Sequence, residues 1–149
     1  MLTTRAENIL RFMFQNNIMP DLSDTNVYLE FAFEDDIVLE GSINRIHAPL
    51  IVEEISYRLP FEGKTALMRN ELQITLGISK GNAKPTNDVK KGDIAYMPLG
   101  DALVIYLEDM HTYSQVNILG QMTSSSEQIA LLKNIKRGSQ VQIRNARSD

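Results

Sequence analysis

The chain has no cysteine in 149 residues, which excludes disulfides, thiolate nucleophiles, thiolate zinc sites and iron–sulfur ligation. It has no apolar run near the ~20 residues that span a bilayer. Arg5 precedes no signal-peptide core, because Glu7 and Asn8 interrupt it and no small-residue cleavage site follows. A cytoplasmic, non-membrane protein is the expectation. Excess positive charge is also missing. The net charge is -4 and the pI is near 5.2, which argues against a dedicated nucleic-acid binder with its basic face. The basic residues that gather late, Lys133, Lys136, Arg137, Arg144 and Arg147, read as helix-end complementation and a solvated tail. No internal repeat, low-complexity segment or linker breaks the chain.

What is present suits one globular unit. Hydrophobic residues make up 43% and charged residues 23%. A chain of this length buries about two-thirds of its unfolded surface. Thr4 and Glu7 have capping-box spacing. Ala6, Ile9, Leu10, Phe12, Met13 and Phe14 follow at helical period, predicting a helix over Thr4–Asn16 with an apolar stripe to bury. From Val27 the period becomes two, and Val27–Phe33 and Ile37–Ile43 read as a hairpin around Glu34-Asp35-Asp36.

A helix follows from Ala48 to Leu59, with Pro49 in its first turn, an inner face of Leu50, Ile51, Ile55 and Leu59, and Pro60 as its stop. Leu72, Ile74 and Leu76 mark a strand, and Gly77 to Gly92 reads as a polar loop. Further strands are predicted near Ile94–Met97, Leu103–Leu107, Val116–Met122 and Gln140–Arg144. Ser125 and Gln128 have capping-box spacing for a last helix through Ile129, Leu132 and Ile135, with Gly138 as a left-handed cap. Seven or eight short strands with three helices favour a closed or nearly closed barrel, since closure removes exposed edges.

Three blocks carry more than local structure: LPFEG (Leu59–Gly63), GDIAYMPLGDALVIYL (Gly92–Leu107) and NILGQM (Asn117–Met122). In this order they resemble the small prokaryotic cyclophilin-like domain family over roughly Asn26–Arg144. The second block matches that family's Gly-Asp-Ile-Ala-Tyr-Trp-Pro-Pro-Gly-Asn-Ala run. Met97 and Leu99 stand where the family has Trp and the second Pro, Asp101 where it has Asn, and Gln121 where it has Arg. The resemblance implies a mainly β (α+β) fold. It would be a closed cyclophilin-like barrel of about eight strands with two capping helices, extended by the extra N-terminal helix. The division is then a helical extension over 1–25 and a barrel over 26–149.

Fold does not carry activity with it. Prolyl isomerisation binds the twisted amide better than the planar one, and an arginine near the prolyl nitrogen weakens amide resonance. In true cyclophilins that arginine lies on the strand after the first long helix. Glu71–Leu76 contains none, although Arg69 precedes it. The Gln-Phe-Phe run of their proline pocket is replaced by aliphatic Ala102, Leu103, Val104 and Ile105.

The turn Met97-Pro98-Leu99-Gly100-Asp101 has two readings, a tight structural joint and one wall of a groove that Arg69 and Gln121 would complete. Glu108, Asp109 and His111 are the only compact set of metal-ligand types, and they read as a solvated loop rather than a site. His47, just before Pro49, reads as a capping or packing residue. Gly41 and Gly120, inside strands, read as bends or close approaches. No elbow serine accompanies either histidine.

The expectation is a binding domain for a peptide or small-molecule ligand, with no cofactor, no metal and no catalytic residue. A diverged prolyl isomerase is the enzyme alternative. An assembly protein, homodimeric through the helix at Thr4–Asn16, is the third.

Overall fold

The computed structural model describes residues 25–146, in which nine strands and two α-helices follow one another. The predicted hairpin is β1 (Asn26–Phe33) and β2 (Val38–Asn44), with Val27, Leu29, Phe31 and Phe33 all facing inward. Then come α1 (Pro49–Arg58), β3 (Phe61–Met68), β4 (Glu71–Thr75), β5 (Thr86–Val89), β6 (Asp93–Met97), β7 (Ala102–Tyr106) and β8 (Met110–Met122). The chain ends with α2 (Ser126–Ala130), a 3-10 turn (Leu131–Asn134) and β9 (Gln140–Asn145). The helix predicted over Thr4–Asn16, and any dimer contact through it, lie outside the described residues.

Eight strands are hydrogen-bonded in the order β2-β1-β9-β3-β4-β7-β6-β8, and β8 pairs back onto β2 to close a mainly β barrel. Every pairing is antiparallel. β5 stands outside this ring and pairs with β8 alone. Ile51, Val52 and Ile55 of α1, with Ile129, Leu132 and Ile135 around α2, seal the interior.

The continuous apolar runs in Gly92–Leu107 have a direct cause. β6 and β7 are buried on both faces, and strands in that position lose their polar alternation. Ile94, Tyr96, Leu103 and Ile105 point into the barrel. Ala95, Met97, Ala102, Val104 and Tyr106 point outward, under a second core made with Val89 of β5 and Val116 of β8. The N-terminal half of β8 thus folds over the barrel wall as an arm and carries β5 with it.

Four expectations about elements need correction. Leu50 lies on the outer side of α1, 76% exposed, and Val52 takes the inner place instead. Ile51 and Ile55 keep their expected inner places, so the buried stripe runs through 51, 52 and 55. β3 escapes the sequence pattern because Gly63 and Thr65 occupy its two fully buried positions and interrupt the inward row between Phe61 and Leu67. The stretch Gly77–Gly92 is not all loop, since it contains the short polar strand β5. The last helix stops early and tightens into the 3-10 turn, although its capping box between Ser125 and Gln128 forms as predicted. Gly138 does have positive φ, at 82°, but sits in the turn after the helix.

Gly120 marks the closure of the barrel. A Cβ there would lie 1.9 Å from the Ser42 carbonyl oxygen and 2.7 Å from Ile43 Cα, so only glycine lets β8 approach β2. One residue earlier, the pairing of β6 with β8 slips: Ile94 faces Gly120 but Ala95 faces Ile118. The extra residue, Leu119, is a β-bulge that bends β8 away from the barrel axis.

Candidate functional site

Beyond this bend β8 leaves β2. β2 pairs with residues 120–122 of β8 and β5 with residues 110–116, so Asn117, Ile118 and Leu119 lie between the two stretches. An outer groove opens at this gap. One part, about 440 Å³, is lined by Ser42 and Asn44 of β2, Asp93, Lys90 and Gln121, with Asn26 at its side. The adjoining part, about 460 Å³, is lined by Lys84, Pro85 and Thr86. His47 and Ile118 border both.

Hydrogen bonds fix the floor in place. Asn44 Oδ1 accepts from Thr25 Oγ1 (2.9 Å) and the Ile46 N–H (2.8 Å), and Asn44 Nδ2 donates to Asn26 Oδ1 (2.9 Å). Asp93 is buried, with Oδ2 accepting the Lys90 N–H (2.8 Å) and Oδ1 accepting from Gln121 Nε2 (3.3 Å). Asn117, only 1% exposed, pins the opposite wall: its Oδ1 accepts the N–H groups of Ala83 (2.8 Å) and Lys84 (3.1 Å). Register explains the gathering, since Tyr28 faces Ser42, Ser42 faces Gln121 and Gln121 faces Asp93 in one outward row across β1, β2, β8 and β6.

The residues expected to share one groove are split among three places. Gln121 lies in the groove just described. Arg69 is exposed in the turn between β3 and β4, with φ of 59°. That turn adjoins the Glu71–Tyr106 pair, whereas the Met97–Asp101 turn adjoins the Thr75–Ala102 pair at the other end of β4. Pro98 and Leu99 border a separate depression of about 400 Å³ with Asn82, Ser114 and Gln115, and Leu99 is 79% exposed. Met97 is buried in the second core. Gly100 is exposed, and a Cβ there would meet Met97 Cε at 2.6 Å.

Asp101 is a structural anchor. It holds φ of 49° and accepts hydrogen bonds from the Tyr96 hydroxyl and from the N–H groups of Ile78 and Ser79. Burial alone would raise its pKa, but these donors, Tyr96 foremost, outweigh it and hold the carboxyl below its ordinary value. Burial and the same carboxylate push the Tyr96 phenol upward.

His47 caps nothing. Ala48 is the N-cap of α1, without a side-chain bond, and His47 is exposed along the groove. Glu108, Asp109 and His111 do not converge. Glu108 pairs with Lys133 at 3.0 Å, Asp109 accepts the Lys91 N–H, and His111 meets Asp88 at 3.0 Å. Among the described residues no three His, Asp or Glu side chains are gathered closely enough to hold a metal ion. No helix among them is long and apolar enough to cross a membrane.

Asn26, Ser42, Asn44, Lys84 and Lys90 carry no signal in sequence, and His47 and Asp93 stand out there only as a helix-start residue and as part of the family block. Outward polar positions occur on every half-exposed strand, and only the register together with the turns after β2 and around β5 brings these seven together.

The family model for cyclophilin-like proteins matches residues 27–144. Comparison with curated protein sequences gives no match. Among solved structures, the hypothetical protein AF2241 from Archaeoglobus fulgidus is similar with a TM-score of 0.68 and 22% identity, over 85% of this chain and 100% of that one. McbB, whose structure is solved in complex with tryptophan, is similar with a TM-score of 0.65 and 15% identity. That match covers 81% of this chain and 45% of McbB. At these identities the likeness is one of fold.

Proposed function

The chain belongs to the cyclophilin-like family, and from that premise we propose that it is a binding domain without prolyl isomerase activity, taking a peptide or small ligand in the outer groove between β2 and the β5 arm. The observation that carries this reading is the groove's preformed polar floor, in which Asn44, Asp93 and Gln121 are already locked by neighbours. A locked floor lowers the entropy lost on binding, and the volume falls in the range of small-molecule sites. McbB offers a parallel on a related fold, since its solved structure holds tryptophan.

Two observations speak against isomerase chemistry. No arginine lines the groove among the described residues. Arg69 stands on an exposed turn away from the Met97–Asp101 joint. β5 is also a poor edge for an added peptide strand. It is four residues long, follows Pro85, and its Asp88 N–H is taken by Thr86 Oγ1 at 3.1 Å. This favours a small molecule over an extended peptide.

Backbone NMR shifts during titration with a fragment library test the reading. Perturbations should cluster on residues 42–47, 84–90 and 118–121, and a library that moves none of them would overturn it. In a protease-coupled proline-peptide assay the rate should stay at background. A rate above background that Arg69→Ala abolishes would support the diverged isomerase instead.

A further inference from the structure

The groove's charges are arranged along its length. Lys90 borders one part, Lys84 borders the other, and His47 with Ile118 borders both. Neither lysine ammonium, nor the His47 ring, makes an ion pair or hydrogen bond to another described residue. The one carboxylate lining the groove among the described residues, Asp93, is buried and already accepts from Lys90 N–H and Gln121 Nε2. The surface thus offers two cationic donors and a hydroxyl, at Ser42, against a single carboxylate that is buried and already engaged through both oxygens. This happens on a chain whose net charge is -4, so the positive groove is a local exception and not a reflection of bulk charge.

Resting on the binding reading above, we infer that the groove takes a small molecule with an anionic group at each end and an apolar, planar middle. The middle lies against Ile118 and the His47 ring, and the two ends meet Lys84 and Lys90. Lysine is a point charge on a flexible stem and tolerates anions of different shape, so carboxylate and phosphate ends are both served. Position, rather than bidentate fit, sets the selection: a ligand with one anionic end satisfies one lysine and leaves the other solvated.

Three probes of one shape test this on the full chain by NMR titration: benzene-1,4-dicarboxylate, benzoate and 1,4-bis(aminomethyl)benzene. The dicarboxylate should shift the Asn44 and Gln121 side-chain amides and bind about fivefold or more tighter than benzoate, the scale of one partly screened charge contact. Its affinity should fall with added NaCl. The exposed pair Lys84→Gln and Lys90→Gln should abolish that advantage while leaving the amide spectrum of the barrel unchanged.

Equal affinity for dicarboxylate and benzoate would overturn the two-ended ligand. Tighter binding of the diamine, or groove binding by neutral fragments alone, would overturn the anionic class and leave the binding reading standing. A groove that no probe or fragment perturbs would overturn both.

Discussion

The Tyr96 hydroxyl donates a 2.6 Å hydrogen bond to Asp101 Oδ1, joining a ring buried inside the barrel to the turn that leaves it. The same hydroxyl accepts the Lys80 N–H at 3.0 Å, and Asp101 holds Ile78 and Ser79, so two side chains tie the β6–β7 turn to the loop that follows β4.

Tyr96→Phe should therefore cost about 1 kcal/mol in urea denaturation, because it removes two hydrogen bonds whose half-buried partners water can partly reach. Asp101→Asn should cost less, since asparagine tolerates positive φ and its carbonyl still accepts. The pH dependence has a definite sign. Asp101's folded pKa is depressed, so its contribution is present above the ordinary carboxylate pKa and is lost as pH falls through the folded value. Thermal melts of wild type and Asp101→Asn should differ most near neutral pH and converge in acid.

Gly120→Ala should be among the most damaging single substitutions, destabilising by roughly 3 kcal/mol or more, because its Cβ meets backbone that cannot move aside. Gly81→Ala is the control. Nothing lies within 4 Å of its Cβ, and its stability should change by no more than about 0.5 kcal/mol. Equal effects in chemical denaturation would refute the assignment of Gly120 to the barrel closure.

Tyr106 presents the opposite case to Tyr96. Its hydroxyl is fully buried, and among the described residues it has no hydrogen bond of normal geometry, though the Glu71 carboxyl is beside it. Burial, reinforced by Glu71, pushes the phenol upward, and burial raises Glu71 in turn, partly offset by Tyr106 and Arg69. Tyr106→Phe should be neutral or stabilising. Glu71's raised pKa means its contribution is present below the ordinary carboxylate value and is lost as pH rises through the folded one. Glu71→Gln should therefore gain thermal stability over wild type as pH rises from about 4 toward 7. A constant difference across that interval would contradict it.

Asn117→Ala should cost about 2 kcal/mol and release the loop that carries Lys84, since two backbone N–H groups lose a buried acceptor. Hydrogen exchange at Ala83 and Lys84 should accelerate far more than exchange in β1. Unchanged protection there would show that the loop is held by other means.

Much of the barrel was legible in sequence because inward residues of β1, β2 and β4 alternate with polar ones, and because the blocks at Gly92–Leu107 and Asn117–Met122 fall in the family's order. β3 was hidden by Gly63 and Thr65 at its inward positions, and β5 by its polar composition. Of the expected site residues, Gln121 alone lies in the seam groove. Met97 and Asp101 drew attention as departures from the family run, yet one fills a core and the other anchors a loop. His47 and Lys90 are separated by more than forty positions and lie in turns, and only the folded barrel brings both to one groove.

Three residue pairs, Gly41–Met122, Ser42–Gln121 and Ile43–Gly120, make up the ladder between β2 and β8, against seven between β1 and β2, and Thr123 and Ser124 extend it by their bonds to Glu40. The cylinder is a zip fastener whose last teeth sit beside the groove. An occupant reaching from the β2 side to the β5 arm would act as a clasp, and its affinity would reappear as slower opening of those three pairs. Protection of the Ser42 and Gln121 amides then reports occupancy directly.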